Sequence, residues 1–369
     1  MPSPSITANH PGGNIRIDDR EGSRWYLHQE LRDTMEDWFY WNFCASGLSG
    51  EQTFEFTGSA VISRFGPAIS HDTIEWWFEP NITHDPRSFT YEFADPDQPV
   101  YFAFAPHYHR AHLDRFLQEP AVDQTMSVNV LTTTACGRNV PILELGDGSE
   151  GTILFTCRHH ACESTASYLL EAILRAAIDR PLTDQYRIVG VPFVDLDGVQ
   201  RGDQGKSRAP HDHNRDYLGA NEIISGITPL YDSAARMMEC IQSLDPLTIG
   251  IDLHCPNKWG DRDDHVHFVK RSAETPRLDR FGAALASAAE ARGSNCVAYD
   301  PAWDIGPTES WNKGFTPTCS WFMGQYATEF GTSLEYPYFG TTDNRITPAR
   351  TESFGVAFVA ALEQYLEIS

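Results

Sequence analysis

The chain has 369 residues, with 51 acidic against 28 basic side chains and a formal charge of −23. That excess of negative charge argues against nucleic acid and anionic membranes as partners, because both reward a basic face. Hydrophobic residues make up 41% of the chain, ample for burial, and a chain of this length predicts about two domains.

The N-terminus has neither the basic region nor the apolar core of a secretory signal. No apolar run approaches the roughly 18 residues that cross a bilayer. Eight cysteines, at 44, 136, 157, 162, 240, 255, 296 and 319, form no CxxC and no dense framework. The expectation is a cytoplasmic protein with reduced thiols, in which the sequon Asn81-Ile82-Thr83 is idle.

Residues 1–13, rich in Pro, Ser and Gly, read as a disordered tail. From 14 to 118 the chain shows short β-runs over 38–43, 52–57, 73–78 and 100–104. Aromatics at strand spacing predict an antiparallel β-sandwich domain with those rings as its core. From 119 to 369 the pattern alternates. Strands are predicted over 127–134, 152–156, 186–192, 248–252, 265–270 and 331–335, and helices over 163–177, 229–244, 276–292 and 348–367. This predicts an α/β domain with a mixed sheet, in which sites form at the carboxyl ends of strands.

The hexad Arg158-His159-His160-Ala161-Cys162-Glu163 stands between the second of those strands and the first helix. A histidine and a glutamate three residues apart at such a turn can face one point, and imidazole and carboxylate both suit Zn²⁺. The pattern is weak alone. Composition predicts about two His-x-x-acid pairs by chance, and two occur, His160/Glu163 and His213/Asp216. Context separates them. His254 ends a predicted strand that Pro256 breaks. Between hexad and strand runs a Gly-rich segment, 197–217, carrying Arg201, Lys206, Arg208 and Arg215. Four cations in so acidic a chain suit an oxyanion or carboxylate, or else balance nearby acids.

His-x-x-Glu at 160–163, Asp-Gly-Val at 197–199, Asp-x-Asn-Arg at 212–215, Asp-Leu-His at 252–254 and Leu-Glu at 334–335 stand in order along the chain. Together they resemble the zinc metallocarboxypeptidases of the carboxypeptidase A type, and most nearly the cytosolic carboxypeptidase branch. The likeness runs over nearly all of residues 14–366. Arg158–Glu163 is similar to that branch's Arg-Gln-His-Pro-Gly-Glu, with Ala161-Cys162 in place of Pro-Gly.

The resemblance implies a zinc carboxypeptidase-like catalytic domain behind the sandwich. It would release a C-terminal or side-chain-linked amino acid from a peptide or protein by metal-activated water. It further implies one Zn²⁺ held by His160, Glu163 and His254, with Asp212 fixing the tautomer of His160. Asn214 and Arg215 would hold the substrate's terminal carboxylate. Glu335 would be the general base, with Glu329 as its competitor. Gly205 falls where the branch has its oxyanion-stabilising arginine. That role passes to Arg208, or else to Lys206. The substrate-capping tyrosine stays open among Tyr299, Tyr326, Tyr336 and Tyr338. Two alternatives stand beside this reading. One is a zinc amidohydrolase of the aspartoacylase and desuccinylase type, acting on small N-acyl amino acids. The other is an inactive peptide-binding relative, although no ligand or glutamate is missing.

Overall fold

Residues 4–218, 229–314 and 316–368 are described by a computed structural model. The chain divides into two compact units. One comprises 1–113 with the inserted stretches 160–164 and 197–210, and the other comprises 114–159, 165–196 and 211–369.

In the first unit the strands are β1 (Ser5–Thr7), β2 (Arg16–Glu21), β3 (Arg24–His28), β4 (Asn42–Ser46) and β5 (Gly50–Phe56). They continue with β6 (Ala68–Ser70), β7 (Trp77–Phe78), β8 (Thr83–His84), β9 (Ser88–Phe93) and β10 (Val100–Ala103). They build two five-stranded sheets, in the orders β1-β4-β10-β6-β7 and β2-β3-β5-β9-β8. Rings from the two sheets interlock as the alternating aromatics predict. Phe43 meets Phe54 at 5.3 Å between centroids, and Phe89 meets Phe102 at 5.1 Å. Truncating one such buried ring to alanine costs about 3–5 kcal/mol.

Three sequence expectations are corrected here. The strand run expected over 38–43 begins only at Asn42, and that over 73–78 only at Trp77. The sandwich is not purely antiparallel, for β3 and β5 pair in parallel. A parallel pair needs a long crossover, and here the chain between β3 and β5 passes through β4 in the other sheet. Nor is the start of the chain a disordered tail. Ser5–Thr7 pairs antiparallel with β4 and Ile6 is buried, so the ladder supplies what the Pro- and Ser-rich composition does not advertise. Residues 1–3 of that expected tail lie outside the described residues.

The second unit is built on β11 (Met126–Thr133), β12 (Asn139–Leu145), β13 (Gly151–Cys157), β14 (Tyr186–Val191), β15 (Leu247–His254), β16 (His267–Val269) and β17 (Phe330–Glu335). Their order is β11-β12-β14-β13-β15-β17-β16. β14, β13, β15 and β17 run parallel, whereas β11, β12 and β16 pair antiparallel with their neighbours. β13, β15 and β17 are buried throughout, as expected of parallel strands covered on both faces. Strand β12 is absent from the sequence reading because of Pro141, which cannot donate to a ladder. The sheet accommodates it opposite Val130, beside a register shift between Val130 and Thr132 in β11. The main helices are Ser164–Ala177, Asp232–Ser243, Thr275–Ala291 and Pro348–Tyr365. The last starts with proline at its first turn, behind a Thr347 cap that accepts from Arg350 N–H. Among the described residues, no helix is long and apolar enough to cross a membrane. None of the eight cysteines is in a disulfide.

Candidate metal centre

Strand β13 ends at Cys157, and the chain then turns through Arg158, whose φ of 62° lies in the left-handed region. A non-glycine residue held there costs about 1–3 kcal/mol, and such strain concentrates at functional sites. Beyond it, Glu163 N–H donates to His160 O at 3.2 Å, closing a turn just before the helix at Ser164. The turn brings His160 Nδ1 within 2.8 Å of Glu163 Oε1. Lys206 Nζ reaches the same oxygen at 2.7 Å and lies over the rings of Trp38 and Phe39 at 5.4 and 6.0 Å. Glu163 is thus a buried carboxylate between an imidazole and an ammonium.

The Gly-rich segment opens with a helix, Leu196–Arg201, and holds a set of engaged charges. Asp203 is buried and takes three guanidiniums: Arg32 at 2.8 Å, Arg201 at 2.9 Å and Arg208 at 3.0 Å. Burial and the nearby Asp33 charge push its carboxyl up despite those arginines. Arg208, expected at the oxyanion, also reaches Asp33 at 3.4 Å and is largely buried by these contacts. Position 205, where the resemblance would put an arginine, has no room for a side chain. Gly205 has φ +78°, and a Cβ there would sit 2.2 Å from Ala161 N and 2.8 Å from His160 Cα. The hexad backbone occupies the space that a side chain would need.

In the second unit, β15 carries Asp252 and His254 on one face, because side chains two apart on a strand point the same way. Asp252 Oδ2 is 2.6 Å from His254 Nε2, and Oδ1 is 2.8 Å from His159 Nδ1. Thr156 Oγ1 donates to Oδ1 at 2.7 Å, and Tyr217 OH lies 2.6 Å from His159 Nε2. Burial alone would push the Asp252 carboxyl up, but the two imidazoles outweigh it and hold the group well below the usual carboxylate range. A carboxylate facing Nε2 keeps the proton there and leaves Nδ1 of His254 with its lone pair. Sequence reasoning missed both Asp252 and His159. The Asp-x-His spacing on a strand was the available signal for Asp252.

Asp212 accepts from Asn214 N–H at 2.7 Å, capping the 3₁₀ turn His213–Arg215. Asn214 is held at one end, where its Oδ1 accepts from Cys319 N–H at 2.9 Å, while its Nδ2 lies 2.8 Å from His254 Nε2. Arg215 donates to the carbonyl of Asn214 at 2.9 Å and makes no ion pair among the described residues. Glu335 ends β17 directly opposite His254 of β15 and opposite His267 of β16. Its competitor Glu329 precedes the other end of β17, where it accepts from Tyr365 OH and lies near Arg277 and Arg280.

No protein-family model matches the chain. An uncharacterised protein of Zymomonas mobilis is 25% identical over 212 residues, 53% of this chain and 55% of that protein. The chain therefore matches about half the length of that relative. Among solved structures, a metallo-carboxypeptidase from Pseudomonas aeruginosa, in complex with (2-guanidinoethylmercapto)succinic acid, superposes with a TM-score of 0.76. It is 19% identical, and the match covers 98% of this chain and 99% of that one. Carboxypeptidase A from Helicoverpa armigera matches with a TM-score of 0.54 and 14% identity, over 71% and 73% of the two chains. The chain has the carboxypeptidase A-type fold. These likenesses do not single out the cytosolic branch.

On the carboxypeptidase fold the carboxyl ends of β13, β15 and β17 lie side by side, with Cys157 paired to Leu253 and His254 to Glu335. Two of the tyrosines eligible as a substrate cap are tied into the core instead. Tyr299 OH donates to Asp304 at 2.9 Å, and Tyr336 OH lies 2.8 Å from Thr351 Oγ1. His159, Asp252 and Cys319 also offer three ligand atoms within 4.8 Å of one another, a buried His/Asp/Cys cluster able to hold a metal ion.

Proposed function

We propose that the protein is a zinc-dependent carboxypeptidase that releases a C-terminal or side-chain-linked amino acid from a peptide or protein. The observation that carries this reading is the His254–Glu335 rung at the carboxyl ends of β15 and β17, with Asp252 Oδ2 2.6 Å from His254 Nε2. His160, Glu163 and His254 are the ligand set. Two imidazoles and a carboxylate suit zinc and leave one coordination position open. Zinc there would polarise the scissile carbonyl and lower the pKa of a water. The reading keeps Asp212 as the carboxylate that orients His160.

The chain's own groups supply the remaining steps. Glu335 takes a proton from the attacking water and returns it to the leaving amine. Arg215 and Asn214 receive the terminal carboxylate. Arg215 has no competing acid among the described residues, and Nδ2 of Asn214 keeps an unused proton when Nε2 of His254 serves Asp252. A planar guanidinium grips a carboxylate at two points. The Pseudomonas aeruginosa neighbour is in complex with a molecule carrying a succinic acid group, and a carboxylate end is what this pair is suited to take. For the oxyanion, the reading moves from Arg208 to Lys206. Arg208 is committed to Asp203 and Asp33, whereas Lys206 stands on the proposed ligand Glu163. The eight cysteines, none of them in a disulfide, suit a reducing, cytoplasmic compartment.

The test is elemental analysis of the purified protein together with a panel of free-acid peptides, amidated peptides and N-acyl amino acids. About one zinc per chain and turnover of the free-acid peptides alone are expected. Turnover of only the acyl compounds would remove the carboxypeptidase reading.

A further inference from the structure

We infer that His159 is a positioning residue, acting through Asp252 to decide which nitrogen of His254 is offered to a divalent cation. The inference rests on the zinc reading above. His159 stands where the motif that the hexad resembles has glutamine, next to the proposed ligand His160 and one strand away from His254. It is fully buried, and its ring lies 6.0 Å from that of His254.

Tyr217 OH lies 2.6 Å from His159 Nε2, and with the phenol as donor the His159 proton belongs on Nδ1. That nitrogen faces Asp252 Oδ1 at 2.8 Å, and Thr156 Oγ1 donates to the same oxygen at 2.7 Å. The second oxygen, Oδ2, is thereby turned to His254 Nε2 at 2.6 Å. Thr156 donates to Oδ1 and the His159 imidazole stands 2.8 Å from the same oxygen, so the two together brace the carboxylate against rotation, and the braced carboxylate fixes the His254 ring with Nδ1 free. Without the brace, Asp252 keeps only Thr156 on that side, and the His254 ring loses its fixed orientation. A purely space-filling histidine would need neither the tyrosine on one nitrogen nor the carboxylate on the other. Glutamine at 159 can also donate to Asp252 and accept from Tyr217, so the conservative replacement preserves the brace while an apolar one abolishes it.

The test is zinc affinity of the full chain, measured by competition with a chromophoric chelator, alongside the absorption spectrum of the cobalt-loaded protein and a thermal melt. Partners that orient a metal-bound imidazole are worth about 10–100-fold in affinity, so His159→Leu is expected to weaken zinc binding by about that factor and to shift the cobalt bands. His159→Gln is expected to stay within about threefold of the wild type, on the same reasoning. A folded His159→Leu protein with wild-type zinc affinity overturns the inference. If that variant does not fold, Tyr217→Phe carries the test, since it removes the O–H that faces His159 Nε2 and keeps the ring. Weaker binding is expected, and unchanged binding overturns the proposal. Two zinc ions per wild-type chain would make His159 and Asp252 ligands themselves and overturn it as well. A wild-type chain that takes up no zinc would defeat the zinc reading first, a result distinct from either variant's.

Discussion

His254 and Glu335 stand opposite each other on one rung of two neighbouring parallel strands. Replacing Glu335 with glutamine keeps the strand and its packing but removes the proposed proton carrier. The expected outcome is a fall in kcat of about a hundred- to ten-thousandfold, with zinc content unchanged by elemental analysis. Glu329→Gln, at the far end of the same strand, is expected to leave kcat near wild type. Unchanged turnover in the Glu335 variant would take that residue out of the mechanism.

Arg215 is the cation of its segment without a carboxylate partner among the described residues, whereas Arg201, Lys206 and Arg208 are each paired. Arg215→Ala is expected to lower kcat/KM on free-acid peptides by at least about thirtyfold, the loss of one side of a desolvated ion pair. Arg215→Lys is expected to recover little, because an ammonium lacks the two-point fit. Comparing free-acid with amidated peptides checks the assignment, since the variant should lose its preference between them.

Gly205 cannot carry a side chain where it stands. Gly205→Ala meets both a positive φ and the hexad backbone, and is expected to cost more than about 1 kcal/mol in urea unfolding. Placing an arginine at this position should therefore impair zinc binding rather than improve catalysis. Chelator competition on Gly205→Arg measures that directly.

His267, the other neighbour of Glu335 on the sheet, is almost wholly enclosed, and burial pushes its imidazole down from 6.5 to about 4. Between those values the unfolded chain binds a proton that the folded chain refuses. Its contribution is complete above about pH 6.5 and declines as pH falls toward about 4, with roughly 2 kcal/mol lost at pH 5. Urea unfolding of the wild type and His267→Asn at pH 7.5 and pH 5 isolates this share, because the variant lacks the pH-dependent loss. Parallel curves at the two pH values would refute it.

Much of this architecture is legible in the residues themselves. The strands that end at Cys157, His254 and Glu335 are uninterrupted buried runs with polar residues at their carboxyl ends, so period and punctuation locate them. What escapes is whatever depends on pairing between distant segments. Pro141 conceals β12, since proline reads as a strand breaker until a register shift opposite it is known. Ser5–Thr7 has too little apolar content to predict a strand without its partner β4. The carboxylate on His254 is two residues away along β15, yet its second imidazole, His159, comes from β13's exit, and only the parallel register joins them. Arg208 looks like a spare cation in the sequence because Asp33 and Asp203 are not visible as its partners.

The stretch 197–210 belongs to the first unit, although it falls in the middle of the second unit's sequence. Its scaffold comes from far upstream: Asn14 donates to the Gly202 carbonyl across 188 positions, and Tyr40 to Gln204 across 164. A chain trimmed to 119–369 would retain all three candidate ligands in its text and lose Arg32, Asp33, Asn14 and Tyr40, which shape the stretch bearing Lys206. A cut between 118 and 119 would therefore part that stretch from the backbone and side chains that hold its shape.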